Sequence, residues 1–291
     1  MHSCIIIGKT NPKAMQTVYD DDVIEEPCPL QLPEAGEEVM PGVKWGFFYD
    51  FFTPAFWASR LWLHRNQNRS IYRIGTTLTE EVAACLLGGH GMRSEIALAA
   101  FERIRGMGFL HSGVPQEKQL RRALEAPIEI DGREVRYRFP KQKSQYLHKA
   151  ISELRSVTLP AKEPRKLRSW LMTLPGIGPK TASWITRNWL DSDEVAILDV
   201  HIHRAGVLCG IFSKHANIST DYFDLERKFL AFACAIGGSA ALLDSIMWRY
   251  MKDLNRMAIQ MLQRLEHSTS KVDFAKRIAD TAGYVRRTSN Y

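Results

Sequence analysis

Apolar residues return at helical spacing through most of the second half of the chain. Ala182, Trp184, Ile185 and Trp189 recur every three to four positions, which predicts an amphipathic helix starting near residue 179. Upstream, Glu163-Pro164 opens another helix running to about residue 172, since proline suits a first turn where no amide bond is lost. Between them lies Leu174-Pro-Gly-Ile-Gly178, a tight turn, so the pair reads as two helices joined by a glycine hairpin. Gly176 and Gly178 permit positive φ and a close backbone approach. The same periodicity predicts a helix over 79–87, with Thr79 as N-cap ahead of Glu80 and Glu81. A helix over 92–105 follows, with Ile96, Ala99, Ala100 and Ile104 on one face, and Gly88-Gly-His90-Gly91 separates the two. Beyond residue 204 the chain stays helical over 222–234 and 239–263, broken at Gly237-Gly238.

Two segments depart from this pattern. Residues 127–133 read as short extended pieces about an Asp131-Gly132 turn, after which the basic run Arg136-Tyr-Arg138-Phe-Pro-Lys141-Gln-Lys143 leads into a further helix. Residues 45–64 carry nine aromatic side chains, a density that predicts a helix packed into a core. Residues 1–45 alternate a short apolar start with an acidic, proline-containing stretch and read as a peripheral cap. The fold class is therefore all-α, with an N-terminal extension and packing segment over 1–70, a helical core over 71–255 and a C-terminal helical extension over 256–291.

Composition narrows the partners. No stretch approaches eighteen uninterrupted apolar residues, so no membrane span is expected. The N-terminus lacks a basic n-region and a long apolar run, which points to a cytoplasmic protein. The five cysteines (Cys4, Cys28, Cys85, Cys209, Cys234) are odd in number and never at metal-ligand spacing, so neither a metal site nor a disulfide framework is predicted. The net charge of +7 is uneven: residues 20–38 hold eight acids and no base, whereas residues 133–168 hold eleven Lys or Arg against three acids. Clustered positive charge beside a phosphate-binding helix terminus points to nucleic acid.

The segment 174–204 resembles the helix-hairpin-helix (HhH-GPD) DNA glycosylases, the superfamily of endonuclease III and the 8-oxoguanine DNA glycosylases. The resemblance rests on Leu174-Pro-Gly176-Ile-Gly178, on Lys180 two residues later, and on Asp199 within Leu-Asp-Val-His201. It extends over roughly residues 79–250 and is nearest the short prokaryotic 8-oxoguanine type, whose basic run before a helix is similar to 136–147 and whose late helix is similar to 241–248. The resemblance implies a two-lobed all-α fold, double-stranded DNA with a modified base as partner, a monomer, and Lys180 and Asp199 as catalytic residues. It further implies DNA contacts from Gly176, Gly178 and His201. A wedge entering the duplex falls on His90, Met92 or Arg93, where the family's asparagine or glutamine is missing. Arg138, Lys141 and Lys143 are read as phosphate contacts. Trp184 either stacks on the extruded base or packs in the core, and Asp244 and Trp248 either line the base pocket or belong to an ordinary packed helix. A monovalent cation at the hairpin is implied by the family, whereas the scattered cysteines argue against an iron–sulfur cluster.

The chemistry follows from these residue types. A base inside a duplex is reached only by extrusion. Breaking the glycosidic bond builds positive charge on the sugar, which a carboxylate stabilises. A lysine that attacks C1′ as a free amine leaves a Schiff base, and β-elimination then nicks the strand. The expected activity is a DNA glycosylase with AP lyase activity on an oxidised purine such as 8-oxoguanine. The rival readings are a glycosylase for another lesion or for a hypermodified phage base, and a non-enzymatic hairpin DNA-binding protein.

Overall fold

Two separate apolar centres organise the chain. A computed structural model describes residues 15–20, 29–66, 72–89, 91–111, 113–157, 162–265 and 267. Two small antiparallel hairpins come first, β1 (Gln16–Val18) with β2 (Leu30–Leu32), and β3 (Glu38–Met40) with β4 (Val43–Lys44). Helix α1 (Pro54–Leu63) follows, its first turn closed by the Thr53 hydroxyl, which accepts the Phe56 amide, and by Pro54 at the first helical position. The first lobe is then continuous in sequence: α2 (Leu78–Leu87), α3 (Ser94–Gly106), α4 (Glu117–Glu125), the hairpin β5 (Ile128–Ile130) with β6 (Arg133–Val135), α5 (Pro140–Ser156), α6 (Pro164–Leu171) and α7 (Pro179–Leu190). Its core runs from Val82 to Ile185. The second lobe packs α1 against α8 (Val200–Cys209), α9 (Ile218–Ala235) and α10 (Ala240–Asp253). Residues 255–265 continue helically after Leu254.

The aromatic-rich segment is part of this second core. Phe52, Phe56 and Trp57 are buried among Leu198, Phe229, Phe232 and Met247, and Tyr250 of α10 meets Trp57 edge-on at 6.3 Å. The chain returns to this packing at Gly238, where an added Cβ would lie 1.8 Å from Leu61 Cδ2 of α1. The segment thus acts as a core element of the second lobe and not as an appendage.

Helix boundaries depart from expectation where polar side chains are recruited by loops. Thr77, not Thr79, caps α2, accepting the Glu80 amide. Glu80 and Glu81 are fully buried instead of facing solvent: Glu81 Oε2 accepts the amides of Ile74 and Gly75, and Glu80 Oε2 accepts the Thr76 amide. The Asp131-Gly132 turn is as read, with φ of 51° and 72° closing β5 onto β6. No single described helix is long and apolar enough to cross a membrane.

If α1 is a structural element of the second lobe, Trp57→Ala should lower the unfolding free energy by about 3–5 kcal/mol. Urea denaturation followed by far-ultraviolet circular dichroism checks this, and a loss below about 1 kcal/mol would mean that the segment is peripheral.

Candidate active site

The hairpin is built from the inside outward. Leu174 and Ile177 are buried plugs in the first-lobe core, and the Ile177 amide donates to the Leu174 carbonyl to close the turn. Gly176 lies at φ +81°, and an added Cβ would sit 2.2 Å from the Tyr146 ring of α5, so both conformation and space demand glycine there. Gly178 does not use the freedom its type permits. Its φ of −91° and ψ of −178° are extended backbone that any residue adopts. A Cβ on Gly178 would meet nothing within 4 Å, so its bare surface faces open space at the start of α7.

Lys180, Ser183 and Arg187 stand at i, i+3 and i+7 on α7 and share the face turned to the second lobe. Arg187 reaches α10, 3.3 Å from Asp244 Oδ1 and donating to Ser245 Oγ at 3.0 Å. Ser183 lies beside the Tyr222 hydroxyl of α9, although its own Oγ completes no well-formed hydrogen bond. Lys180, half-buried at the open end of this stripe, has no hydrogen bond or ion pair with the described residues. Trp184 points elsewhere, into the first-lobe core, where a Cβ on Gly88 would lie 3.6 Å from its indole.

Residues 191–199 connect α7 to α8 and deliver Asp199. This segment is irregular, exposed at Asp191, Asp193 and Glu194 and buried or half-buried over 195–199, so the backbone groups of its second half must find partners inside the protein. The Tyr222 hydroxyl donates to the Ala196 carbonyl at 2.8 Å and accepts the Leu198 amide at 3.3 Å. Glu226, one turn later on α9, accepts the Ala196 amide at 2.9 Å and pairs with Arg168 of α6. Asp244 Oδ2 accepts the Ile197 amide at 3.4 Å. Asp193 accepts the Ser239 hydroxyl and the Ala241 amide at the start of α10. The segment ends in Asp199, the N-cap of α8, whose Oδ1 accepts the amides of His201 and Ile202 at 2.8 and 3.0 Å.

Asp244 is therefore enclosed, 2% exposed, where the sequence left open a base-pocket wall or a packed helix. Burial raises its carboxyl to about 6, against the opposing pull of Arg187, and the Asp199 charge adds to the rise. Trp248, for which the sequence left the same two readings open, is 43% exposed, meets the His201 ring edge-on at 6.3 Å and carries Lys252 Nζ 5.1 Å from its ring centre. His201 Nδ1 is buried without a hydrogen-bond partner among the described residues. The structure thus brings Asp199, His201 and Trp248 together at the start of α8.

The basic run after β6 serves the fold more than expected. The Tyr137 hydroxyl donates to Leu87 O at 2.6 Å, Lys143 Nζ donates to Leu86 O at 2.5 Å and Gly88 O at 3.3 Å, and Arg138 donates to Gly91 O at 3.3 Å. These groups satisfy the carbonyls that end α2 and hold the glycine-rich junction, a role of cations at helix C-termini. Lys143 is accordingly turned inward, its pKa lowered by burial, so it does not offer the outward phosphate contact expected of it. Lys141 remains exposed, as does Arg138. Arg93 caps α3 by position, is exposed, and lies 3.5 Å from Glu95. Met92 packs partly against the first-lobe core. His90 lies outside the described residues.

A family model for 8-oxoguanine DNA glycosylase, Ogg-HhH, matches residues 66–237, more than half the chain. This chain belongs to that family. It is a DNA glycosylase of the helix-hairpin-helix type. No curated protein matches it. Among solved structures, the 8-oxoguanine DNA glycosylase of Thermotoga maritima is 23% identical, with 67% of this chain and 86% of that one covered and a TM-score of 0.48. The Methanocaldococcus jannaschii enzyme is 20% identical over 66% and 85%, at a TM-score of 0.44. The same enzyme bound to 15-mer DNA containing 8-oxoguanine is 18% identical over 69% and 89%, at a TM-score of 0.45. The family match includes the glycosylase's hairpin, Lys180 and Asp199, and stops short of α10, which carries Asp244 and Trp248.

The site residues missed on sequence are Ser183, Arg187, Tyr222 and Glu226. Their signals were local: an arginine two turns after Lys180 inside an apolar run, and a Tyr–Glu pair four apart on α9.

Among the described residues no group of three or more His, Cys, Asp or Glu converges as a metal site. Two predictions follow from the cap and the buried acid. Asp199→Asn should leave thermal stability nearly unchanged, since asparagine caps as well as aspartate, whereas Asp199→Ala should cost about 1 kcal/mol by calorimetry. Asp244 has its folded pKa raised to about 6. Its contribution to stability is therefore complete below the unfolded pKa of about 3.9 and lost as pH rises through about 6. Urea midpoints from pH 4 to 7 should show this fall, of up to about 3 kcal/mol, and Asp244→Asn should lack that component.

Proposed function

We propose that this glycosylase excises an oxidised purine, 8-oxoguanine foremost, from double-stranded DNA through a Lys180 Schiff base and then acts as an AP lyase. The observation that supports this most is the unpartnered amine of Lys180 at the open end of the interlobe stripe, together with Asp199 on a segment clamped by α9 of the second lobe. In outline, the neutral Lys180 amine attacks C1′, the glycosidic bond breaks, and the base leaves with the bonding electrons and takes up a proton. Opening of the sugar, with O4′ protonated, leaves the Schiff base; loss of a C2′ proton then expels the 3′ phosphate. The Asp199 carboxylate stabilises the positive sugar in the first step.

Binding draws on the surrounding groups. The bare Gly178 surface and the first amides of α7 suit a phosphate. The carbonyls of Thr173 and Gly176 accept no hydrogen bond from the described residues, which suits hard oxygen ligands of a monovalent cation. Such a cation, when bound, would neutralise charge between hairpin and phosphate. Arg138 and Lys141, both exposed, add phosphate contacts. Trp248's exposed indole beside His201 offers an aromatic surface to an extruded base.

Duplexes carrying one modified base each, incubated with the protein and then treated with borohydride, test the reading. An adduct with the 8-oxoguanine duplex is expected. Lys180→Gln should abolish it while changing duplex affinity by less than roughly threefold, because phosphate contacts dominate affinity. Asp199→Asn should slow excision by roughly 100- to 1,000-fold. An adduct with another base only would reassign the lesion; base release by Lys180→Gln at the wild-type rate would overturn the lysine mechanism.

A further inference from the structure

We propose that Tyr222, with Glu226 one turn below it on α9, is a positioning residue that sets where Asp199 stands relative to Lys180. The inference rests on the reaction proposed above. The two side chains occupy one face of α9, and each touches both the segment before Asp199 and a helix of the hairpin. Tyr222 binds the Ala196 carbonyl and the Leu198 amide, the latter one residue before Asp199, and lies beside Ser183, three residues after Lys180. Glu226 binds the Ala196 amide from the other side and pairs with Arg168 on α6, the first helix of the hairpin. A single helix face therefore registers both hairpin helices and the segment carrying the carboxylate.

The other ties act farther from the carboxylate: Asp193 is held to the start of α10, and the exposed Glu194 lies 3.5 Å from Arg165 of α6. The cap bonds from Asp199 to His201 and Ile202 fix the carboxylate to α8 but not α8 to α7. The Arg187–Asp244 pair reaches the segment only through the 3.4 Å contact with Ile197. Tyr222 is 4% exposed, and its ring packs into the second-lobe core, so its hydroxyl has no freedom to swing away. Displacements of about 1 Å at a reacting centre can cost roughly 100-fold in rate.

The test separates the two chemical steps. Excision of the base needs Asp199 to stabilise a cationic sugar. Attack of Lys180 on a preformed abasic site builds no such cation and does not need that carboxylate. Tyr222→Phe removes only the hydroxyl. It should slow single-turnover release of 8-oxoguanine by roughly 10- to 100-fold, with affinity for the intact duplex unchanged within roughly twofold and borohydride trapping on an abasic-site duplex near the wild-type rate. An equal fall in both steps would show a general structural role, and no fall in excision would overturn the proposal. If Tyr222→Phe unfolds at the assay temperature, Glu226→Gln, which keeps an oxygen for the Ala196 amide, is put through the same comparison with the same outcomes. The wild-type arm keeps the two ideas apart: absence of adduct on every duplex overturns the lysine reaction itself, before any variant is compared.

Discussion

Residues 195–199 are the buried to half-buried end of an irregular segment, and their backbone polar groups must be satisfied largely without water. An unpaired amide or carbonyl in such a place costs about 1–3 kcal/mol, so several together would offset much of a domain's net stability. Tyr222, Glu226 and Asp244 answer this need from the second lobe, and Asp199 answers it for the first turn of α8. The demand for hydrogen bonds and the demand for a fixed carboxylate are met by the same contacts. The helices around them are supports whose apolar faces tolerate other side chains of similar volume.

Charge across the seam is arranged with the same economy. Arg168 pairs with Glu226, and Arg187 with Asp244, each pair joining a helix of the hairpin to a helix of the second lobe. Buried pairs of this kind add little net stability, because desolvation takes back most of the attraction. They do penalise any sliding of one lobe past the other, since a displaced partner would leave a bare charge inside. Lys180 shares the α7 face with Arg187 but not its fate. Asp199, the nearest carboxylate by role, already has one oxygen turned to the amides of its own helix.

Much of this was legible in the residues alone. Lys180 and Asp199 are singled out by the family resemblance, whereas the hairpin and its flanking helices follow from proline, glycine and apolar spacing, which are local signals. The β5–β6 turn at Asp131-Gly132 is legible for the same reason. What could not be read is what depends on distant partners. Lys143 looks like a solvent-facing base in a basic run, yet the carbonyls it satisfies belong to α2, more than fifty residues away. Glu80 and Glu81 are the first-turn acids the sequence shows, but their burial as acceptors for the preceding loop is not legible there. Gly178 reads like Gly176, and only coordinates show that one is required by φ and by the Tyr146 ring while the other is required by neither.

The two lobes also differ in how the chain reaches them. The lobe that bears Lys180 is one uninterrupted run, whereas the lobe that holds Asp199 draws α1 from near the beginning of the chain and α8 to α10 from its later part. Loop closure over such a span is entropically expensive and slows pairing of the distant parts. During synthesis the amine-bearing half is thus complete while the aromatic cluster of α1 still waits for its partners. A nascent chain carries the helix of Lys180 long before the second lobe can form, and the exposed aromatics make that interval the one in which it is most prone to aggregate.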